Sequence, residues 1–119
     1  AAHAVCEGET TLIACGNGLE VFSDAELYPK VTSMFLKFIR FDFIVKAPTL
    51  TLLRNFNSMR SITLECKNIT SFIHLSKLES MQHLRSLTIE GNDISHSVLY
   101  RSYVVYRFPH ITAINGEDV

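Results

Sequence analysis

The strongest constraint on this chain is a block that occurs twice. Leu84–Ile94 reads LRSLTIEGNDI, and Met59–Ile69, starting 25 residues earlier, reads MRSITLECKNI. Apolar residues hold the first, fourth, sixth and eleventh places of both blocks. The polar places also agree: Arg60 with Arg85, Ser61 with Ser86, Thr63 with Thr88, Glu65 with Glu90. Side chains alternate along a strand, so the fourth and sixth places point to one side of a short strand. The first and eleventh turn inward where the chain bends into and out of it. Asn92, at the ninth place, can satisfy backbone groups in a bend that has no ladder partner. In the earlier block Lys67 stands there and Asn68 follows it.

Two looser copies lie upstream. Val31–Phe41, VTSMFLKFIRF, puts Val31, Met34, Leu36 and Phe41 inward, with Ile39 at the ninth place. Glu9–Leu19, ETTLIACGNGL, supplies Leu12, Ala14, Asn17 and Leu19, with Glu9 in the first place. Starts at 9, 31, 59 and 84 give spacings of 22, 28 and 25 residues, close to the range of about 20–29 residues for one strand-and-turn unit. The block resembles the L-x-x-L-x-L-x-x-N-x-L pattern of leucine-rich repeats. The expected fold is α/β: a short solenoid with parallel strands on a concave face and short helices or 3₁₀ turns on the convex face. Phe72, Leu75 and Leu78 step by three, as such a turn requires, and Pro48 is expected to open a short helix over about residues 49–56. The division is an N-terminal segment over 1–8, about four repeats over 9–94 and a cap over 95–119.

The tail SHSVLYRSYVVYRFPHITAINGEDV departs from the repeat. Tyr100, Tyr103 or Val104, and Arg107-Phe108 lie at helical spacing, and Pro109 ends that helix. Ile111 and Ile114 then form a last edge segment before the turn Asn115-Gly116. An open solenoid needs its final core layer covered and its edge blocked against pairing. Over Tyr100, Arg101, Val104, Phe108, Pro109, Ile111, Ile114 and Gly116 the tail resembles the C-terminal cap of intracellular leucine-rich repeat proteins of the phosphatase-regulator (SDS22-like) class, with Asn115 where Asp is usual. The resemblance covers residues 9–119 and is strongest over 59–119. It implies a non-catalytic scaffold inside the cell, in the cytoplasm, on the cytoskeleton, cilium or centrosome. The alternative is a nuclear RNA-processing or mRNA-export complex joined through a protein partner. Extracellular relatives carry Cys-rich caps.

In such a fold the third, fifth and seventh places face the concavity and the second and eighth flank it. The candidate partner-binding residues are therefore Ile13, Phe35, Lys37, Arg60, Thr63, Glu65, Arg85, Thr88 and Glu90. Thr and Ser dominate the column, Ile13 and Phe35 are apolar points at one end, and Glu65 and Glu90 add acidity at the other, near Arg60 and Arg85. An exposed apolar side chain on a curved sheet is the default anchor for a protein helix or loop, here on the concave face or the open N-terminal end. Cover of Phe35 by the N-terminal segment or an adjacent chain is the competing reading. The stretch 35–43 is greasier than the repeat requires, so self-association through it is a further expectation.

Composition removes other classes. Leu, Ile, Val and Phe total 39 of 119 residues, too many for a disordered chain. Eleven basic against twelve acidic side chains leave a net charge of −1, and the predicted concave face has no aromatic stacking pair, so direct nucleic-acid binding is not expected. Met34–Val45 is too short and too charged to span a bilayer, and the start AAHAVCEG does not read as a signal peptide. Cys6, Cys15 and Cys66, odd in number and without a Cys-x-x-Cys pair, read as free thiols, and the resemblance to the intracellular cap outweighs the sequon Asn68-Ile69-Thr70. His3, His74, His83, His96 and His110 are scattered without metal-ligand spacing, so no metal, cofactor or catalytic group is expected.

Overall fold

A computed structural model describes residues 3–7, 10–16, 18–66, 69 and 71–119. Glu9, Asn17, the Lys67-Asn68 departure and most of the sequon fall outside them. Among the described residues seven strands form one sheet in chain order: β1 (His3–Glu7), β2 (Thr11–Cys15), β3 (Ser33–Lys37), β4 (Ser61–Glu65), β5 (Ser86–Glu90), β6 (Ala113–Ile114) and β7 (Glu117–Asp118). Strands β2 to β6 are parallel, and β1 and β7 pair antiparallel at the two ends. The described residues form short helices on the other side: α1 (Phe41–Ile44), α2 (Ala47–Leu53), α3 (Phe72–Ser76) and α4 (Val98–Arg107), with 3₁₀ turns at Gly18–Ser23, Ala25–Leu27, Lys77–Ser80 and Asp93–His96. This is a short leucine-rich repeat solenoid.

One backbone carbonyl per repeat sets the register. The carbonyl of Thr10 accepts from the N–H groups of Thr32 at 2.8 Å and Ser33 at 3.1 Å. Thr32 receives Arg60 and Ser61 in the same way, Arg60 receives Arg85 and Ser86, and Arg85 receives Thr112 and Ala113. The bend into each strand is thus tied to the next. Every strand starts in phase, and Leu12, Met34, Ile62, Leu87 and Ile114 fall in one row. The inward places are buried as the pattern requires: Leu12, Ala14, Val31, Met34, Leu36, Phe41, Met59, Ile62, Leu64, Ile69, Leu84, Leu87 and Ile89. Ile94 is only half-buried against the core. Asn92, buried, accepts from the Ile69 N–H at 3.1 Å and donates to the Glu90 carbonyl, which closes the bend one repeat away.

The second repeat is the longest, and an aromatic cluster packs it against the first. Tyr28 meets Phe56 edge-on at 4.7 Å, Phe56 meets Phe22 at 6.1 Å, and the Tyr28 hydroxyl donates to the Phe22 carbonyl at 2.6 Å. The helix expected over 49–56 is α2, with Pro48 in its first turn. It stops at Leu53 because Phe56 turns into this cluster, and a further helical turn, α1, precedes it. The N-terminal end, expected to lie open, is closed: β1 covers the free edge of β2, with Val5 opposite Ile13.

At the other end, Tyr100, Val104, Phe108, Ile111 and Ile114 are buried under the last layer. Tyr103 stacks on Phe72 of α3 at 4.9 Å. Arg107 forms two 3.0 Å bonds with Glu79, and Arg101 donates to the Asp118 carbonyl. Asn115 and Gly116 both have positive φ, 50° and 81°, as a two-residue hairpin turn demands. In the place usual for Asp, the Asn115 side-chain oxygen accepts from the Ile89 N–H at 3.0 Å.

Phe108→Ala removes a buried aromatic from the last core layer and should cost about 3–5 kcal/mol, read by urea unfolding; an unchanged midpoint would show that the cap does not hold that layer. Acid should weaken the same end. Partial burial, then the Arg85 charge, hold His110 below its ordinary value, against a hydrogen bond to the Met81 backbone. The unfolded chain therefore takes the proton more readily, so the His110 contribution is complete at neutral pH and is lost as pH falls below about 6.5. His110→Gln should flatten that decline in urea midpoints measured between pH 7 and pH 5.

Candidate functional site

The outward strand places form three columns in register. Thr11, Ser33, Ser61 and Ser86 make the first; Ile13, Phe35, Thr63 and Thr88 the second; Cys15, Lys37, Glu65 and Glu90 the third. All are half-buried except the more exposed Glu90. Adjacent members stand about 4.8 Å apart, the strand spacing, so the middle column carries the hydroxyls of Thr63 and Thr88, with Ile13 and Phe35 side by side at the N-terminal end. Lys37 lies opposite Glu65, which leaves the third column with one cation followed by two acids.

Arg60 and Arg85 do not join these acids. They sit at the second place and Glu65 and Glu90 at the seventh, five residues on, which is about 16 Å of extended chain. The expectation that they lie near one another is therefore corrected: they occupy opposite ends of the strands. Each arginine also clips the bend that leads into its strand. Arg60 Nη1 donates to the carbonyls of Asn57 and Met59, and Arg85 Nη1 to those of Gln82 and Leu84. This local job explains why the two repeats share an Arg there.

A feature hidden in the sequence lies where β3 ends. Gly16 and Gly91, at the eighth place of their repeats, have φ of 61° and 75°, and Phe38 at the equivalent place has φ 58°. The left-handed region costs a residue with a side chain roughly 1–2 kcal/mol, and a bulky residue there is uncommon. The Phe38 ring recovers nothing by burial, because it is 71% exposed. Aligning the four blocks by place shows Phe where two others have Gly, and that was the available signal. Phe43 is also exposed, with the Lys46 ammonium 4.5 Å above its ring, and Arg40 pairs with Asp42 at 3.2 Å. Phe35, Phe38 and Phe43 thus give this end of the molecule an aromatic, weakly basic character.

Cys66 is buried, and burial, helped by the Glu65 charge, pushes its thiol up to about 12, far from the thiolate a nucleophile requires. Among the described residues no three His, Cys, Asp or Glu side chains stand close enough to share a metal ion, and no helix is long and apolar enough to cross a membrane.

No family model matches the chain. Over 67 residues it is 34% identical to leucine-rich repeat-containing protein 51 of Bos taurus; the match takes in 56% of this chain and 35% of that protein. The chain therefore spans about a third of that relative. Among solved structures, the leucine-rich repeat domain of Mex67 from Chaetomium thermophilum superposes with a TM-score of 0.73 at 15% identity, over 98% of this chain and 86% of that one. The Chaetomium Mex67:Mtr2 subunits give 0.71 at 16% identity, over 97% and 86%. At such identities the likeness is one of fold, and the fold is that of a leucine-rich repeat domain.

Proposed function

We propose that this chain is a non-catalytic protein-interaction domain whose partner docks on the concave face and anchors at its aromatic N-terminal end. The observation that carries the reading is Phe38, a large apolar side chain kept at a backbone conformation suited to glycine and left in solvent. Strain that the fold does not use is a pointer to function, and an apolar side chain left in solvent on such a surface is the default anchor for a partner. Ile13, Phe35, Thr63 and Thr88 supply the surface alongside, and Lys37, Glu65 and Glu90 set the partner's orientation.

The cap residues support placement with the intracellular phosphatase-regulator type, and hence in a cytoskeletal, ciliary or centrosomal assembly. The alternative, an mRNA-export or RNA-processing assembly, is favoured by one observation: the fold neighbour Mex67 is found together with Mtr2. In either setting the contact is with protein, since Lys37 shares its column with Glu65 and Glu90 and, among the described residues, no basic stripe follows the concave face.

Capture from nuclease-treated lysate tests this. Wild-type chain should retain protein partners. Phe38→Asn should weaken retention about thirtyfold, equivalent to about 2 kcal/mol, while stability holds or rises, because Asn tolerates positive φ. A Phe35→Asp, Thr63→Arg double substitution should abolish retention with the fold kept. Undiminished retention by both folded variants would contradict the site. A second copy on the 35–43 stretch is the competing occupant; Phe38→Asn would then alter the sedimentation of the isolated chain instead.

A further inference from the structure

Between the bend that leads into β4 and the bend that leads into β5 lies a cleft of about 210 Å³. A water molecule takes roughly 30 Å³ in the liquid, so the cleft has the space of about seven waters, enough for one aliphatic or Met side chain. Phe56, Met59, Met81 and Leu84, all buried, wall it, and Arg54 and His83 stand exposed at its rim. No Asp or Glu lines it among the described residues.

Two more cations stand at its edge. The carbonyl of Met59 accepts from Arg60 Nη1 at 3.2 Å, and the carbonyl of Leu84 from Arg85 Nη1 at 2.9 Å. Each Nη1 also donates to a second carbonyl, that of Asn57 or of Gln82. Both protons of Nη1 are then spent, while a guanidinium carries five. What remains on each Arg is the side formed by Nε and Nη2, a two-pronged edge of the kind that grips a carboxylate. Among the described residues the ion pairs are Arg40 with Asp42 and Arg107 with Glu79, so Arg54, Arg60 and Arg85 meet no carboxylate there. The Arg85 N–H bonds the Arg60 carbonyl at 2.7 Å, so the two side chains leave neighbouring strands about 4.8 Å apart and are braced alike. Arginines fixed by the backbone and free on one edge have little left to order when an anion arrives.

We propose that this cleft is a second docking site for a partner protein, taking an apolar side chain into the cavity and a carboxylate from an adjoining Asp or Glu onto the free edges of Arg60 and Arg85. It rests on the reading of the chain as a protein-interaction domain, and not on the Phe38 anchor. A bare anion leaves the cavity unfilled, and an apolar group alone leaves three arginines unpaired. A peptide segment that carries both satisfies each part.

The probe is the blocked tripeptide acetyl-Glu-Leu-Glu-amide, titrated into the whole chain from about 0.1 mM to about 10 mM and followed by amide chemical shifts. Saturable shifts are expected at Met59, Arg60, Leu84 and Arg85. Acetyl-Gln-Leu-Gln-amide, acetyl-Glu-Ala-Glu-amide and inorganic phosphate should each bind at least about tenfold more weakly. Arg60→Gln with Arg85→Gln should cost a similar factor. Those side chains also brace the bends, so Arg54→Glu, which alters only an exposed side chain, serves as a second variant and should weaken the tripeptide about as much. Phe38→Asn should leave tripeptide binding as it is while lowering capture from lysate. The inference is overturned if the four amides show no saturable shift, if phosphate or either control peptide matches the tripeptide, or if the folded Arg variants bind it as wild type does. Shifts that vanish with Phe38→Asn would overturn it too, by moving the peptide to the concave face. A chain that retains lysate proteins yet ignores the tripeptide loses this site alone; one that does neither loses the interaction reading as well.

Discussion

The structure depends on a single backbone carbonyl at the second place of each repeat. It accepts two N–H groups from the next repeat, and the chain Thr10, Thr32, Arg60, Arg85 runs unbroken from the first repeat to the cap. Because the acceptor sits where the chain bends into its strand, it fixes where the strand begins as well as which strand lies beside it. A shift of one residue would send the inward Leu, Ile and Met to the concave face. With the strands in phase, the fourth and sixth places stack into a core that each repeat shares with its neighbours. The third, fifth and seventh stack into the outward columns of the concave face. The second-place side chains assist: Thr32 and Thr112 add hydroxyl donors to the same carbonyls, and Arg60 and Arg85 brace the bends.

Much of this was legible because burial leaves a periodic trace. Leu12, Met34, Ile62 and Leu87 must be apolar wherever they occur in such a stack, and no long-range knowledge is needed to read them. The cap was legible for a related reason, since Phe108-Pro109 and Asn115-Gly116 each encode a local backbone event. What escaped is what the backbone decides without a side-chain signature. β1 is five residues whose partner is chosen by the free edge of β2. Phe38 resembles any other Phe until its φ is known. In α4 apolar residues occur all round the helix, so periodicity alone could not tell Tyr100 and Val104, which go inside, from Val98 and Tyr106, which do not. The supposed nearness of Glu65 to Arg60 failed because sequence proximity was read as spatial proximity along an extended strand.

Two surfaces result, on opposite sides of the sheet. The concave side is rich in hydroxyls, with Ile13 and Phe35 side by side at its N-terminal end. The helix side offers α4, whose inner face locks the last layer and whose outer face is uncommitted within one chain. The exposed side chains of that outer face include Val98 and Tyr106.

The central claim is that the repeats form one stack held in register from Thr10 to the cap. Native-state hydrogen exchange tests it most directly, followed at the amides of Thr32, Ser33, Arg60, Ser61, Arg85, Ser86, Thr112 and Ala113. The account predicts that all eight are protected, and that Phe108→Ala lowers protection most at Thr112 and Ala113, with a loss that spreads inward to Arg85 and Ser86. Fast exchange at Thr32 and Ser33 in the intact chain would contradict it. So would a Phe108→Ala loss that leaves Arg85 and Ser86 untouched, for the layers would then not be sharing one core.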